Sequence, residues 1–246
     1  MEKLDNHGLT EQQYLAQYNV AKYEKPGVAI DNLLFAIEEV ESDNIRKLPQ
    51  KRLQVLLVKR AEHPFIGLWS LPGTFLKLSE TFEEASLRCL KIKSQVEDVY
   101  LEQLYSFGAV KRDPRHRIIS IAYMGLINKN HYDHMAISEN AAWFTVLDGQ
   151  LADAGDLAFD HAEIIKYGLS RLKNKLEYSD IAFSLLPGQF TLAELQQVYE
   201  LILGKSFSKS NFQRKIRDKV ECLNEYQKSA FRPALLYKYR PRTNGY

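Results

Sequence analysis

Around residue 211 the sequence crowds together side chains able to hold a phosphate or read a base edge: Lys209, Ser210, Asn211, Arg214, Lys215, Arg217 and Lys219. Arginine can pair bidentately with guanine and asparagine with adenine in a major groove, while lysine and serine anchor the phosphate backbone. That chemistry requires the side chains to share one exposed face. In NFQRKIRDKV, Phe212, Ile216 and Val220 recur at i, i+4 and i+8, which predicts a helix over 210–219 held inward by a single apolar stripe. At about 100° per residue its far side presents Ser210, Asn211, Arg214, Arg217 and Asp218, with Lys215 and Lys219 at the flanks.

The neighbouring elements suit that task. TLAELQQVYELILG opens with Thr191 and Glu194 in capping-box relation, lines up Leu192, Leu195, Val198 and Ile202 on one face, and stops at Gly204. KSFSKS is the turn to the basic helix, and LLYKYR, after SAFRPA, alternates like the returning strand of a β-hairpin, placing Arg232 and Lys238 to grip backbone or minor groove. Helix, turn, basic helix and basic hairpin in that order make a winged helix-turn-helix. The competing reading is a helical subdomain whose cations merely keep it in solution.

Charge divides along the same line. Residues 180–246 hold 11 Lys+Arg against 6 Asp+Glu, and the rest of the chain holds 22 against 25, so a basic C-terminal part follows a mildly acidic one. Such a division suits one part that meets phosphate backbones. With 45% apolar residues, 246 residues can bury one large core or two modest ones. Cys89 and Cys222 are far apart with no CxxC spacing, which argues against a disulfide framework or zinc site and fits the cytoplasm. No apolar run approaches the roughly 18 to 20 residues that span a bilayer, and MEKLDNHGLT lacks the regions of a signal peptide, so no membrane partner is expected.

Upstream, the pattern is mixed α and β. EQQYLAQYNVAKYEK predicts an opening helix ending at Pro26; GVAIDNLLFAI and LQVLLVKR read as strands around a long polar loop, EEVESDNIRKLPQK. HPFIGLWSLPG reads as a loop, 81–93 as a helix, RIISIAYMGLI and AAWFTV as further strands, and LAFDHAEIIKYGLSRLKNKL as a connector helix carrying Ile164, Ile165, Leu169 and Leu172. Asp160 is the expected N-cap of that helix, with His161 beside it satisfying its backbone groups. The expected organisation is an N-terminal helical extension over 1–24, a mixed α/β domain over 25–152, a connector over 153–179 and the DNA-binding domain over 180–246.

LLPGQFTLAELQQVYELILGKSFSKSNFQRKI followed by RPALLYKYR resembles the winged-helix half of the Nudix-related transcriptional regulators, the NrtR family. GLWSLPGTF, RDPRHRIISIAY and AFDHAEII stand in the order of that family's Nudix-like domain, so the resemblance covers roughly residues 25 to 240. It implies a mixed-sheet α/β/α sandwich followed by a small winged helix-turn-helix domain. It also implies a homodimer that binds a palindromic operator in double-stranded DNA and controls NAD-metabolism or sugar-utilisation genes. The implied effector is ADP-ribose, or a sugar or sugar phosphate, with no cofactor.

The resemblance also exposes what is missing. The Nudix signature falls on Thr74, Glu80, Arg88, Cys89, Leu90, Ile92, Lys93, Gln95 and Val96, and keeps only Glu80, Arg88, Leu90 and Val96. Hard cations are held through several oxygens, so Cys89, Ile92 and Lys93 in place of carboxylates imply neither a metal site nor catalysis. Phe82, Ala85, Cys89 and Ile92 are expected to form packing surface on that helix. The alternative is a divergent hydrolase of the ADP-ribose pyrophosphatase type, using Glu83, Glu84, Glu97 or Asp98.

Candidates to bind an effector are Arg112, Asp113 and Arg115 in KRDPRHR, with Arg60 and Glu80 secondary. Guanidinium forks suit diphosphate oxygens and a carboxylate suits ribose hydroxyls, although Asp113 could equally close a salt-bridged turn with its own neighbours. Phe65, Trp69, Phe75 and Phe107 could stack a base or fill core, with core the expected use. HYDH at 131–134 receives no function, and Cys89 is expected to be inert filling.

Overall fold

The computed structural model describes residues 3–40, 49–97, 99–127, 138–227 and 233–241. Strand β1 (Gly27–Val40) is the centre of the sheet, because its whole middle is buried on both faces. It runs parallel to β6 (Ile118–Ile127) on one side and antiparallel to β2 (Gln50–Lys59) on the other. Outward from these lie β5 (Tyr100–Phe107), β7 (Ala141–Leu147) and β8 (Gln150–Leu151), giving the order β5-β6-β1-β2-β7-β8. Two short strands extend the sheet: β3 (Trp69–Ser70) pairs with the C-terminal end of β2, and β4 (Gly73–Phe75) with the N-terminal half of β1.

Alternation along β1 assigns the two faces. Leu34 and Ala36 join Leu56 and Leu90 beneath helix α2 (Phe82–Ser94). Leu33, Phe35 and Ile37 turn the other way, onto Ile164, Ile165, Leu169 and Leu172 of helix α3 (His161–Tyr178), all of them buried as their spacing predicts. The helix approaches closely because residue 168 is glycine: a methyl there would collide with Leu33 Cδ2. An α/β/α sandwich results.

The C-terminal part holds β9 (Phe190–Thr191), α4 (Leu192–Leu203), α5 (Lys209–Ile216), β10 (Val220–Gln227) and β11 (Ala234–Tyr239), with the strands in the order β10-β11-β9. The Thr191–Glu194 capping box is present, and Gly204 ends α4 in the left-handed conformation. The apolar stripe of α4 does not stop at this part's own boundary. Leu195, Val198, Tyr199 and Ile202 belong to one continuous cluster with Leu53 and Val55 of β2 and Leu172 of α3, and Gln197 Nε2 donates to the Pro49 carbonyl at 3.3 Å. The winged helix is thereby packed onto the sandwich.

Several local expectations need correction. The opening helix is short: α1 covers Glu11–Gln17, with one 3-10 turn at Val20–Lys22, and neither buries a residue. Tyr18 is extended, and the Asn19 side chain caps the following turn by accepting from Ala21 N–H. The basic helix ends at Ile216, a 3-10 turn covers Arg217–Lys219, and Val220 begins a strand paired with Tyr239. Val220 stays buried, so it kept the helical period while serving as the first residue of a strand. β5 has no counterpart among the expected elements, since an edge strand with one buried residue, Leu104, leaves no apolar pattern to read.

Candidate functional site

A cleft of about 530 Å³ opens at one end of the sheet. Its walls come from β1 (Asp31), the end of β2 (Lys59, Arg60), the β3–β4 segment (Gly73, Phe75), the last turn of α2 (Ile92, Lys93), the 108–117 loop (Arg112, Asp113, Arg115) and the entry to α3 (Phe159, His161). Five of the expected or newly found lining side chains are cations against three carboxylates, counting Lys59, Arg60, Lys93, Arg112 and Arg115 against Asp31, Glu62 and Asp113. The cleft therefore favours an anion.

Its floor is a buried polar network. Arg112 donates through Nε and Nη2 to the two Asp160 carboxylate oxygens at 2.9 and 2.7 Å, and again through Nη2 to Asp31 at 3.3 Å. Burial pulls the Arg112 pKa down, but Asp160 and Asp31 more than offset that, leaving it raised. Ser120 Oγ also donates to Asp31, at 2.5 Å. His161 Nδ1 accepts from Leu71 N–H at 2.9 Å, which places the ring proton on Nε2, 3.6 Å from Asp31. Burial lowers the His161 pKa, so the ring stays neutral. Asp160, expected to cap α3 by its side chain, makes no such bond because both its oxygens are taken by Arg112. His161 satisfies a backbone group of the β3–β4 segment, not of its own helix.

The rim is arranged around one ring. Arg60 lies 4.8 Å and Arg115 5.6 Å from the Phe159 centroid, and Phe65 meets the same ring edge-on at 4.9 Å. Phe65 and Phe159 both hold positive φ, 62° and 56°, a costly backbone state that the surrounding contacts must sustain. Arg60 Nε donates to the Pro64 carbonyl at 2.7 Å; burial and the nearby Arg115 lower its pKa. Arg115 closes on Asp113 through Nε and Nη2, at 3.0 and 2.7 Å, and its own N–H joins them. This is the salt-bridged turn that its sequence allowed, although both residues still line the cleft.

Of the expected effector residues, Arg60, Arg112, Asp113 and Arg115 are brought together and Glu80 is not. Glu80 is bound by Arg88, whose Nε and Nη2 reach its oxygens at 2.8 and 2.5 Å; that bond, aided by Lys77 N–H, holds the Glu80 pKa down at about 2. Of the four α2 residues expected as packing surface only Ala85 and Cys89 are buried: Phe82 is 37% exposed and Ile92 67%, which corrects that expectation. Ile92 is exposed because the last turn of α2 overhangs the cleft. Burial raises the Cys89 thiol to about 11, which leaves it inert. Phe65 and Phe75 are exposed at the rim, not core; Trp69 packs edge-on against Phe144, and Phe107 against Tyr167.

Among the described residues no group of three or more His, Cys, Asp or Glu stands ready to hold a metal ion. Glu83 accepts from the Tyr123 hydroxyl at 2.8 Å, Glu84 belongs to the capping box of α2, and Glu97 pairs with Lys91. Asp98 and HYDH at 131–134 lie outside the described residues. Asp31, Lys59 and Phe159 were missed in the sequence. A lone carboxylate inside the apolar run GVAIDNLLFAI was a readable signal for Asp31; nothing marked Phe159.

The second cationic site is α5, capped by the Ser208 hydroxyl, with Phe212 and Ile216 buried. Lys209, Ser210, Asn211, Arg214 and Arg217 are exposed together, and Arg214 Nη2 donates to Asn211 at 3.2 Å. Two flanking lysines are engaged within the protein. Lys215 stands over the Tyr199 and Phe207 rings, at 5.1 and 5.7 Å, and Lys219 bonds Asp180 at 2.6 Å beside the Tyr239 hydroxyl, which donates to the same carboxylate. Lys238 faces Glu221 across the hairpin at 3.2 Å. Arg232 lies outside the described residues. No described helix is long and apolar enough to cross a membrane.

Comparison with known proteins divides the chain in the same way. Residues 45–167 match the model of the NUDIX domain, and residues 182–239 that of the NrtR DNA-binding winged helix domain. The chain is 35% identical over 235 residues to the ADPR-responsive transcriptional repressor NtrR of Acinetobacter baylyi, covering 94% of this chain and 88% of the relative. Shewanella oneidensis NrtR in complex with a 27mer DNA superimposes with a TM-score of 0.70 at 33% identity, over 87% of this chain and 93% of that one. The NUDIX domain of the same protein with ADP ribose superimposes with a TM-score of 0.52 at 32% identity, over 67% of this chain and 99% of that one. With that likeness running almost end to end, the chain belongs to the NrtR family: a Nudix domain followed by an NrtR DNA-binding winged helix.

Proposed function

We propose that this chain is a DNA-binding transcriptional repressor that senses ADP-ribose in its cleft and does not hydrolyse it. The observation that carries the reading is the placement of α3. One end of this 18-residue helix carries Asp160 and His161 in the cleft network, and just beyond the other end Asp180 holds Lys219 and Tyr239 of the winged helix. A ligand that shifts the Arg112–Asp160 pair would thus be felt through a rigid rod by the turn that ends α5. Arg60 and Arg115 are the proposed phosphate contacts, and Phe159 between them the surface on which a base or sugar rests.

Absence of hydrolysis is inferred from chemistry: the positions resembling metal-binding carboxylates hold Cys89, Ile92 and Lys93, and the remaining carboxylates of α2 are engaged elsewhere. The working unit is proposed to be a cytoplasmic homodimer, since a two-fold operator requires paired reading helices. Domain limits of 25–152, 153–179 and 180–246 are retained, with the connector treated as the coupling element.

Fluorescence anisotropy on palindromic duplexes tests the reading. Nanomolar binding to one sequence, steep salt dependence and an at least fivefold change of affinity on adding ADP-ribose are expected. Equal weak binding to all duplexes, or indifference to ADP-ribose, would count against it. Incubation with Mg²⁺ and ADP-ribose should release no product; robust turnover abolished by Glu80→Gln would establish a hydrolase instead.

A further inference from the structure

The last turn of α2 brings Lys93 into the cleft wall next to the exposed Ile92. The end of β2 contributes Lys59, whose ammonium lies 5.9 Å from the Trp69 ring, and Arg60, which spends its hydrogens on the carbonyl oxygens of Pro64 and Glu62. Among the described residues none of these three cations is matched by a carboxylate as Arg112 is by Asp31 and Asp160, or Arg115 by Asp113. Glu62 also lines the cleft and Arg112 faces two carboxylates, so five cations meet four carboxylates and the cleft keeps an excess of one positive charge. Like charges gathered without counter-ions raise the energy of the empty cleft, and an anion bearing one negative charge on each of two adjacent phosphates relieves that. Among the described residues no group of three His, Cys, Asp or Glu stands ready to clasp a metal, and the cations are placed to meet phosphate oxygens themselves.

Resting on the effector reading above, we propose that Lys93, together with Lys59 and Arg60, grips the bridging diphosphate of the effector directly, so that binding needs no divalent cation. Lys93 is then a specificity-determining residue: it selects diphosphate-bearing ligands over the bare nucleoside. A lysine suits the role because its flexible stem delivers a compact, strongly attracting charge to phosphate oxygens.

Isothermal titration calorimetry on the full chain tests this with ADP-ribose, adenosine and inorganic pyrophosphate. ADP-ribose should bind equally well in EDTA and in Mg²⁺. Lys93→Met should weaken it about tenfold, the loss of one charge-assisted hydrogen bond, while Lys93→Arg keeps most of the affinity and adenosine is unaffected by either change. Residue 93 is exposed, so both variants should melt like the parent. Binding abolished by EDTA and restored by Mg²⁺, or a Lys93→Met variant that binds ADP-ribose as the parent does, would overturn the inference while leaving the effector reading intact. If the parent fails to bind ADP-ribose, the effector reading falls. Pyrophosphate then decides: binding in EDTA that is lost in Lys93→Met supports the lysine grip, and no such binding refutes it.

Discussion

The arginines of the cleft and the arginines of α5 are the same side chain put to opposite uses. Arg112 is sunk to 3% side-chain exposure, and two carboxylates fix its guanidinium; Arg115 is closed on its neighbour. Arg214 on α5 and Arg217 in the turn that follows it are exposed, and among the described residues Arg214 pairs with no carboxylate, only with Asn211. A guanidinium held from several sides presents a fixed shape to a small ligand, whereas one left in water can adjust to a phosphate or base edge. The difference teaches that sequence-level basicity marks two sites here but only burial tells which is preorganised.

The comparison breaks most visibly at Arg112. Arg112→Met leaves Asp31 and Asp160 without their partner and should cost about 3–5 kcal/mol in a denaturant titration. A loss below about 1 kcal/mol would mean the network does not bear on the fold. For α5 the expectation is inverted. Arg214→Ala combined with Arg217→Ala should leave stability within about 0.5 kcal/mol, lower operator affinity at least about tenfold and reduce the salt slope by about 2.

Lys219 sharpens the boundary between the two classes. Its bond to Asp180, with both side chains largely covered, makes it an internal cation on the turn that ends α5. Lys219→Met should destabilise the chain by about 1–2 kcal/mol and change the salt slope of DNA binding less than Arg214→Ala does. If the slope drops by a full unit with no loss of stability, Lys219 belongs with the exposed arginines.

A pH titration of stability probes the cleft network from another side. Burial lowers the His161 pKa from 6.5, so below that pH the unfolded chain takes up a proton that the folded state refuses. Stability should fall as pH drops from about 6.5 toward the lowered folded value, and His161→Asn, which keeps an acceptor for Leu71 N–H, should flatten that limb. Glu80 acts in a separate window, contributing above its ordinary 4.5 and losing that contribution as pH falls toward about 2. The smallest expected effect is at Gln95, which ends α2 with φ 59°, where the Nudix pattern places glycine. Gln95→Gly should raise the melting temperature by an amount worth about 0.5 kcal/mol, since relief of the left-handed strain is partly cancelled by the freer unfolded chain.

Much of the fold was legible because its signals are local. Thr191, Glu194 and Gly204 bound α4 in the sequence and in space, and Phe212, Ile216 and Val220 are buried as their spacing requires. β5 and the shortness of α1 were not legible, because an edge strand with one buried residue and a helix with none carry no apolar period. In the cleft, KRDPRHR marked the right loop, but nothing marked Phe159, whose importance comes from two arginines that converge on it from other parts of the chain.

By itself, then, the sequence determined the bounds of α4 and which faces of α3, α4 and α5 are apolar. Tertiary structure alone decided which cations remain free. Arg112 finds Asp31 across 81 residues and Asp160 across 48, and Lys219 finds Asp180 across 39. Period and capping act within a few residues along one element, while an ion pair depends on distance in space, and only folding brings such distant charges within reach of one another.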